Sequence, residues 1–141
     1  TLHEVAAAGG SMEDRVRRLI TALITQSRQH ASYNAMYNEI TAGSCRKFAA
    51  MLAREIEQKT AALYTALFSD AQQQGELTNA VAPELFAFFF DNLLMMLQFS
   101  CSCEYYRERM EIFCGKDTAQ DDRKLAGALT RFVLGAMKGE G

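Results

Sequence analysis

PELFAFFFDNLLMMLQFS, residues 83–100, is apolar nearly all the way round. A helix that packs against a single core carries one apolar and one polar face. On a wheel of about 100° per residue, Leu85, Phe89, Asn92, Met96 and Phe99 share one sector, which Phe88 and Met95 extend. Phe86, Phe90, Leu93 and Leu97 share the neighbouring sector, and Ala87, Asp91, Leu94, Gln98 and Ser102 fill the remainder. One wide face must therefore meet helices of the same chain. A second must meet something else: another subunit, a ligand, or both. Leaving several Phe and Leu side chains in water would forfeit about 1.5–3 kcal/mol each, and an exposed patch of that size predicts association. A membrane is the wrong partner. Leu85 to Phe99 spans about 22 Å as a helix against a hydrocarbon core of roughly 30 Å, and Asp91, Asn92 and Gln98 would lie inside it.

The rest of the chain reads as helix too. Pro83 is the only proline, tryptophan is absent, and runs of β-branched residues are missing, while Ala, Leu, Met, Gln, Glu and Arg abound. The expected fold is all-α. A length of 141 residues suits one domain, and 49% apolar with 23% charged residues is the balance of a globular chain rather than a disordered one. The net charge of −2 and the lack of a basic block beyond Arg15, Arg17 and Arg18 make the surface a poor phosphate binder. Residues 1–20 lack a basic start followed by an apolar stretch, so a cytoplasmic setting is expected. Among Cys45, Cys101, Cys103 and Cys114 there is no CxxC pair. On a continuous helix Cys101 and Cys103 would point about 200° apart, which argues against a shared metal or a disulfide and for free thiols.

Residues 1–8 look like the end of a helix broken by Gly9 and Gly10, and Ser11 with Asp14 fits a capping box. Val16, Leu19, Ile20, Leu23 and Ile24 form an amphipathic stripe, with Arg15, Arg17 and Arg18 on a solvated face. A short helix over 32–40 carries Tyr33, Met36, Tyr37 and Ile40, with Asn34 and Asn38 interleaved. Gly43 interrupts, Ser44 can cap, and a long helix runs from Cys45 to about Gln74, ended by Gly75. Pro83 opens the next helix as a first-turn proline. That helix is expected to reach about Phe113, with Gly115 beyond it. Thr118 with Asp121 offers another capping box. The final helix carries Leu125, Leu129, Phe132, Val133 and Ala136 on one face, with Gly127, Thr130, Leu134 and Gly135 opposite, where the small residues would let another helix approach.

Asn92 lies among Phe88, Phe89, Met95, Met96 and Phe99. A buried amide needs partners. Two readings stand: it bonds a neighbouring helix, or it orients a ligand in a Phe- and Met-lined pocket, since such pockets combine apolar walls with a few placed polar groups. Seven methionines suit an adaptable cavity, and they equally suit plain core filling.

This order of elements resembles the C-terminal ligand-binding and dimerisation domain of TetR-type transcriptional repressors. AAAGGSMEDRVRRLITALI is similar to the exit from that family's connecting helix and the start of the next. RKFAAMLAREIEQKTAALYTALFSDAQQQGEL resembles its long central helix with a terminal Gly75-Glu76-Leu77 turn. APELFAFFFDNLLMMLQFS and DDRKLAGALTRFVLGAMKG resemble its two dimer helices. The resemblance implies one regulatory domain over residues 1–141 and a homodimer in which the last two helices of each subunit form a four-helix interface through Phe86, Phe90, Leu94, Gly127, Thr130, Arg131 and Leu134. It implies a small-molecule effector in a pocket walled by Tyr33, Met36, Tyr37 and Met51 together with Phe88, Asn92, Met95, Met96 and Phe99. It also implies that DNA is bound only through an N-terminal helix-turn-helix head, which these 141 residues are expected to lack, because TLHEVAAAGGS leads into no aromatic-rich recognition helix.

No cofactor, metal or membrane partner is expected. Neither His3 nor His30 has a glutamate three residues before it, which removes the Glu-x-x-His pairs of a two-metal helical enzyme. The rival readings are a helical dimerisation or adaptor module without a ligand, which needs no cavity, and a thiol-based sensor on the same fold. Glu55 could face a cationic ligand if buried, though an exposed helix face is its expected place.

Overall fold

The computed structural model describes residues 2–42 and 48–139. The described residues form helices and loops with no strand. In chain order the helices are α1 (Leu2–Ala7), α2 (Met12–Gln29), α3 (Ala31–Ala42), α4 (Ala49–Gln73), α5 (Pro83–Ser102), α6 (Glu104–Cys114), α7 (Lys116–Ala119) and α8 (Asp122–Met137). The expected break at Gly43, the Ser44 cap and the long-helix start at Cys45 lie outside the described residues.

Local chemistry sets most boundaries. The Ser11 hydroxyl accepts from the Asp14 N–H at 3.1 Å and caps α2. Beyond α4, Gly75 takes φ +76°. Its N–H donates to Gln72 O at 3.1 Å and the Glu76 N–H to Ala71 O at 2.8 Å, the paired bonds of a Schellman ending that an L side chain would strain. Pro83 stands in the first turn of α5. The α4–α5 linker then closes the far end of α8: the Thr78 N–H donates to Met137 O at 2.8 Å, and the Gly139 N–H to Thr78 Oγ1 at 2.8 Å.

Helix α5 is the hub, packed against α2, α3, α4 and α6, while α2 also carries α1 and α8. Val16, Leu19, Ile20, Leu23 and Ile24 of α2 are all buried, as their spacing predicts. Phe68 of α4 meets Phe86 and Phe90 of α5 edge-on, with ring centroids 4.6 and 5.1 Å apart, and Tyr64 meets Phe90 at 5.1 Å. Such aromatic pairs add about 0.5–1.5 kcal/mol beyond the area they bury. By length and composition alone α5 could cross a bilayer, but its packing partners make it the central helix of this bundle.

Four expectations need correction. The helix begun at Pro83 does not continue to Phe113: it stops at Ser102, and Cys103 adopts an extended backbone (φ −103°, ψ 133°) before α6 begins. The Ser100 and Ser102 hydroxyls lie 2.8 Å from Met96 O and Gln98 O, one turn back, a pattern that bends helices and competes with their continuation. The cap of the last helix is Asp121, whose side chain accepts from the Lys124 N–H at 3.1 Å, whereas Thr118 lies within α7. The buried stripe of α8 is Ala126, Thr130, Val133 and Met137, with Leu125 and Leu129 at its edge and Phe132 and Ala136 exposed. Finally, Arg18 is not merely solvated. Its Nη2 donates to Ala8 O at 2.9 Å and Gly9 O at 2.6 Å, satisfying carbonyls at the end of α1.

Candidate ligand cavity

Helices α2, α3, α4 and α5 line a half-open cavity of about 600 Å3. One side is walled by Leu23 and Ser27 of α2, and Tyr33, Met36 and Tyr37 of α3 stand opposite. Glu57 and Tyr64 enter from α4, and Asp91, Leu94 and Met95 from α5. Two smaller hollows, of about 310 and 350 Å3, adjoin it and share Glu57 and Met95 as lining residues. A volume of this size is in the range that holds drug-sized molecules.

The orientation of α3 creates the cavity. Asn34 is buried and Ala31, Ala35, Tyr37 and Asn38 are half-buried, while Tyr33, Met36 and Ile40 are each exposed by about half or more of their surface. Asn34, only 4% exposed, fixes this orientation. Its Nδ2 donates to Ser102 Oγ at 2.9 Å and its Oδ1 accepts from Gln98 Nε2. The buried amide of the fold is thus Asn34, whereas Asn92, expected in that role, is half-buried in the wall of the adjoining 310 Å3 hollow.

The polar content of the cavity is acidic. The Tyr37 hydroxyl donates to Glu57 Oε1. Burial, the Glu57 contact and the Asp91 charge all push the Tyr37 phenol up, and burial followed by Asp91 and Glu57 does the same at Tyr64. The Asp91 carboxyl is raised from the usual 3.8 to about 6, first by burial and then by the Glu57 charge. Among the described residues neither ion pair involves Asp91, and no Lys or Arg lines the cavity, His30 being its one basic-capable side chain. No group of three or more His, Cys, Asp or Glu side chains suited to a metal occurs among the described residues.

Of the residues expected to contact a ligand, Tyr33, Met36, Tyr37 and Met95 line the main cavity, Phe88 and Asn92 line the 310 Å3 hollow, and Phe99 lines the 350 Å3 hollow. Met51 and Met96 are exposed and face none of these three. Residue-by-residue reading overlooked Glu57 and Asp91. Asp91 carried a signal, being the only acidic residue between Glu84 and Glu104. Glu57 carried none, sitting in a polar run beside Glu55, which is exposed.

The expected interface residues fall differently. Phe86, Phe90, Leu94 and Thr130 are buried in the core of the single chain, Thr130 with its hydroxyl on Ala126 O at 2.6 Å. Gly127 and Leu134 are half-buried and Arg131 is exposed. The outward apolar surface of α5 and α8 is presented instead by Leu85, Phe88, Phe89, Leu93, Met96 and Phe132. Phe89, Leu93 and Phe132 border a shallow apolar hollow of about 220 Å3 between the two helices. The wheel showed two apolar faces on this helix without deciding which turns inward, because a phenylalanine facing the core and one facing outward are indistinguishable by hydropathy.

No protein-family model matches the chain, and no curated protein or solved structure matches it.

Proposed function

We propose that these residues form the effector-binding and dimerisation domain of a cytoplasmic TetR-type transcriptional regulator, a repressor in the family's usual mode, with no catalytic activity of its own. The reading assigns DNA binding to an N-terminal helix-turn-helix head outside these 141 residues, and gives the domain itself two tasks: taking up a small, largely apolar molecule and pairing with a second copy. The observation that carries it is the cavity of about 600 Å3 at the junction of α2, α3, α4 and α5, since a module serving only as a dimerisation adaptor has no need of such a space. Support for pairing comes from the unpartnered apolar surface of α5 and α8, with Phe88, Phe89 and Phe132 each more than half exposed, a patch of the kind that marks interaction sites. Leu2 of α1 also lines the cavity, and Arg18 ties the end of α1 to α2. An occupied cavity would therefore bear directly on the helix that leads toward the head.

Native mass spectrometry of the purified chain tests both tasks in one measurement. A dimer that retains or takes up a small molecule is the expected result. A chain that stays monomeric at high concentration and binds nothing overturns the regulator reading, and a dimer that binds nothing returns the assignment to the ligand-free adaptor.

A further inference from the structure

We infer that the cavity between α2, α3, α4 and α5 selects an organic cation, whose positive centre sits between the Glu57 and Asp91 carboxylates and against the rings of Tyr37 and Tyr64. This rests on the reading of the cavity as a ligand site and goes beyond it by naming the charge of what enters.

Three observations lead to it. First, two acidic side chains from different helices reach one space, Glu57 from α4 and Asp91 from α5, and no Lys or Arg among the described residues shares that lining. Structural carboxylates inside a fold are ordinarily paired, because an unpaired buried charge is costly. Here the Tyr37 hydroxyl serves Glu57, and Asp91 has neither an ion pair nor a hydrogen bond among the described residues. Second, the remaining walls are what an organic cation prefers. Tyrosine faces attract positive charge through their quadrupole, and Met36, Leu94 and Met95 accept an apolar body. Third, burial and the neighbouring Glu57 both disfavour ionisation of Asp91. A bound cation removes that conflict, and an anion would aggravate it.

The test uses three probes of matched shape: (4-phenylbutyl)trimethylammonium, its neutral isostere with carbon in place of nitrogen, and the anion 5-phenylpentanoate, each measured by equilibrium dialysis against the whole chain. At pH 8 the cation is expected to bind at least about tenfold more tightly than the neutral isostere, the gain anticipated for a desolvated cation against carboxylate and aromatic groups. The anion should bind more weakly than either. Asp91→Asn should reduce the cation's advantage over the neutral probe to below about threefold. Should that variant fail to fold, Glu57→Gln and a pH series on the unmodified chain replace it. Lowering the pH from 8 to 5 protonates Asp91, in the company of Glu57 and Tyr64 on α4, Tyr33 and Tyr37 on α3 and His30 at the end of α2, and should erode the preference in the same way. Neutral or anionic binding equal to or tighter than the cation's overturns the cation assignment and leaves the cavity as a ligand site. Failure of all three probes to bind overturns the ligand site itself, and the cation assignment with it.

Discussion

Asn34 of α3 clasps α5 from both ends of its amide: Nδ2 donates to Ser102 Oγ at 2.9 Å, and Oδ1 accepts from Gln98 Nε2. Asn34 and Ser102 are buried, while Gln98 is half-buried at the cavity wall. Ser102 Oγ also lies 3.0 Å from Ser27 O, which brings α2 into the same cluster. Replacing Asn34 by Ala strands the Gln98 amide and removes the polar anchor of α3. A loss of about 0.5–1.5 kcal/mol for each of the two hydrogen bonds is expected, read as a lower urea midpoint at unchanged slope. A change below about 0.5 kcal/mol, the level of an ordinary surface substitution, would show that the amide does not hold α3 in place.

Asp91 makes a pH-dependent contribution of known sign. Its carboxyl is raised from 3.8 to about 6, first by burial and then by Glu57, so the fold favours the protonated form. The stabilisation is fully present below about pH 4 and is lost as pH rises through about 6. A difference of this size corresponds to about 3 kcal/mol at most, and partial access to solvent through the cavity reduces it to about 1–2 kcal/mol. Asp91→Asn carries no charge at any of these pH values. It should therefore be more stable than the parent by about 1–2 kcal/mol at pH 8 and close to it at pH 4, by guanidinium denaturation at both. An equal effect at the two pH values would mean that the carboxylate is not held away from water.

Local signals were legible at several helix boundaries, though not at the Thr118 cap or at the helix end at Ser102. Ser11, Gly75 and Pro83 stand at the boundaries their chemistry predicts, and the α2 stripe is buried as its spacing requires. What sequence alone does not show is which of several apolar faces turns inward. On α8 the core takes Ala126 and Thr130 beside Val133 and leaves Phe132 outside, because small side chains let α8 pack closely on α2. On α3 the one buried residue is the amide Asn34, with Tyr37 half-buried beside it. Close approach rewards small volume as well as hydropathy, and a wheel ranks only hydropathy. The cavity follows from that choice of faces. Its aromatic wall on α3 was legible, and its acidic pair was not, since Glu57 and Asp91 are 34 positions apart and meet only through α4–α5 packing.

Phe89 and Phe90 are neighbours in sequence with opposite fates, 52% and 2% exposed. Phe90 packs on both Phe68 and Tyr64, so Phe90→Ala opens a core cavity and should cost about 3–5 kcal/mol. Phe89→Ala should change the stability of the single chain by less than about 1 kcal/mol. If the face of α5 that carries Phe89 pairs with a second copy, the same substitution, combined with Phe132→Ser on α8, should raise the dimer dissociation constant by tenfold or more, about 1.4 kcal/mol. Sedimentation equilibrium measures that shift. An unchanged dimer would place the interface elsewhere, and a large stability loss from Phe89→Ala alone would contradict its outward position.

Thiol reactivity separates the ligand-binding reading from a redox sensor. Burial pushes the Cys101 thiol up, partly countered by Arg28 and reinforced by Asp122. Burial also raises Cys103, with Arg107 opposing and Glu39 adding. Both shifts lower the thiolate fraction, the opposite of what a sensor cysteine requires. Cys114 is exposed at the end of α6. Among the thiols of the described residues, iodoacetamide under native conditions, mapped by peptide mass spectrometry, should therefore label Cys114 first and Cys103 slowly, and should leave Cys101 unmodified until denaturant is added. Rapid labelling of Cys101 or Cys103 at neutral pH would require a thiolate stabilised against both effects, and would bring the redox reading back into contention.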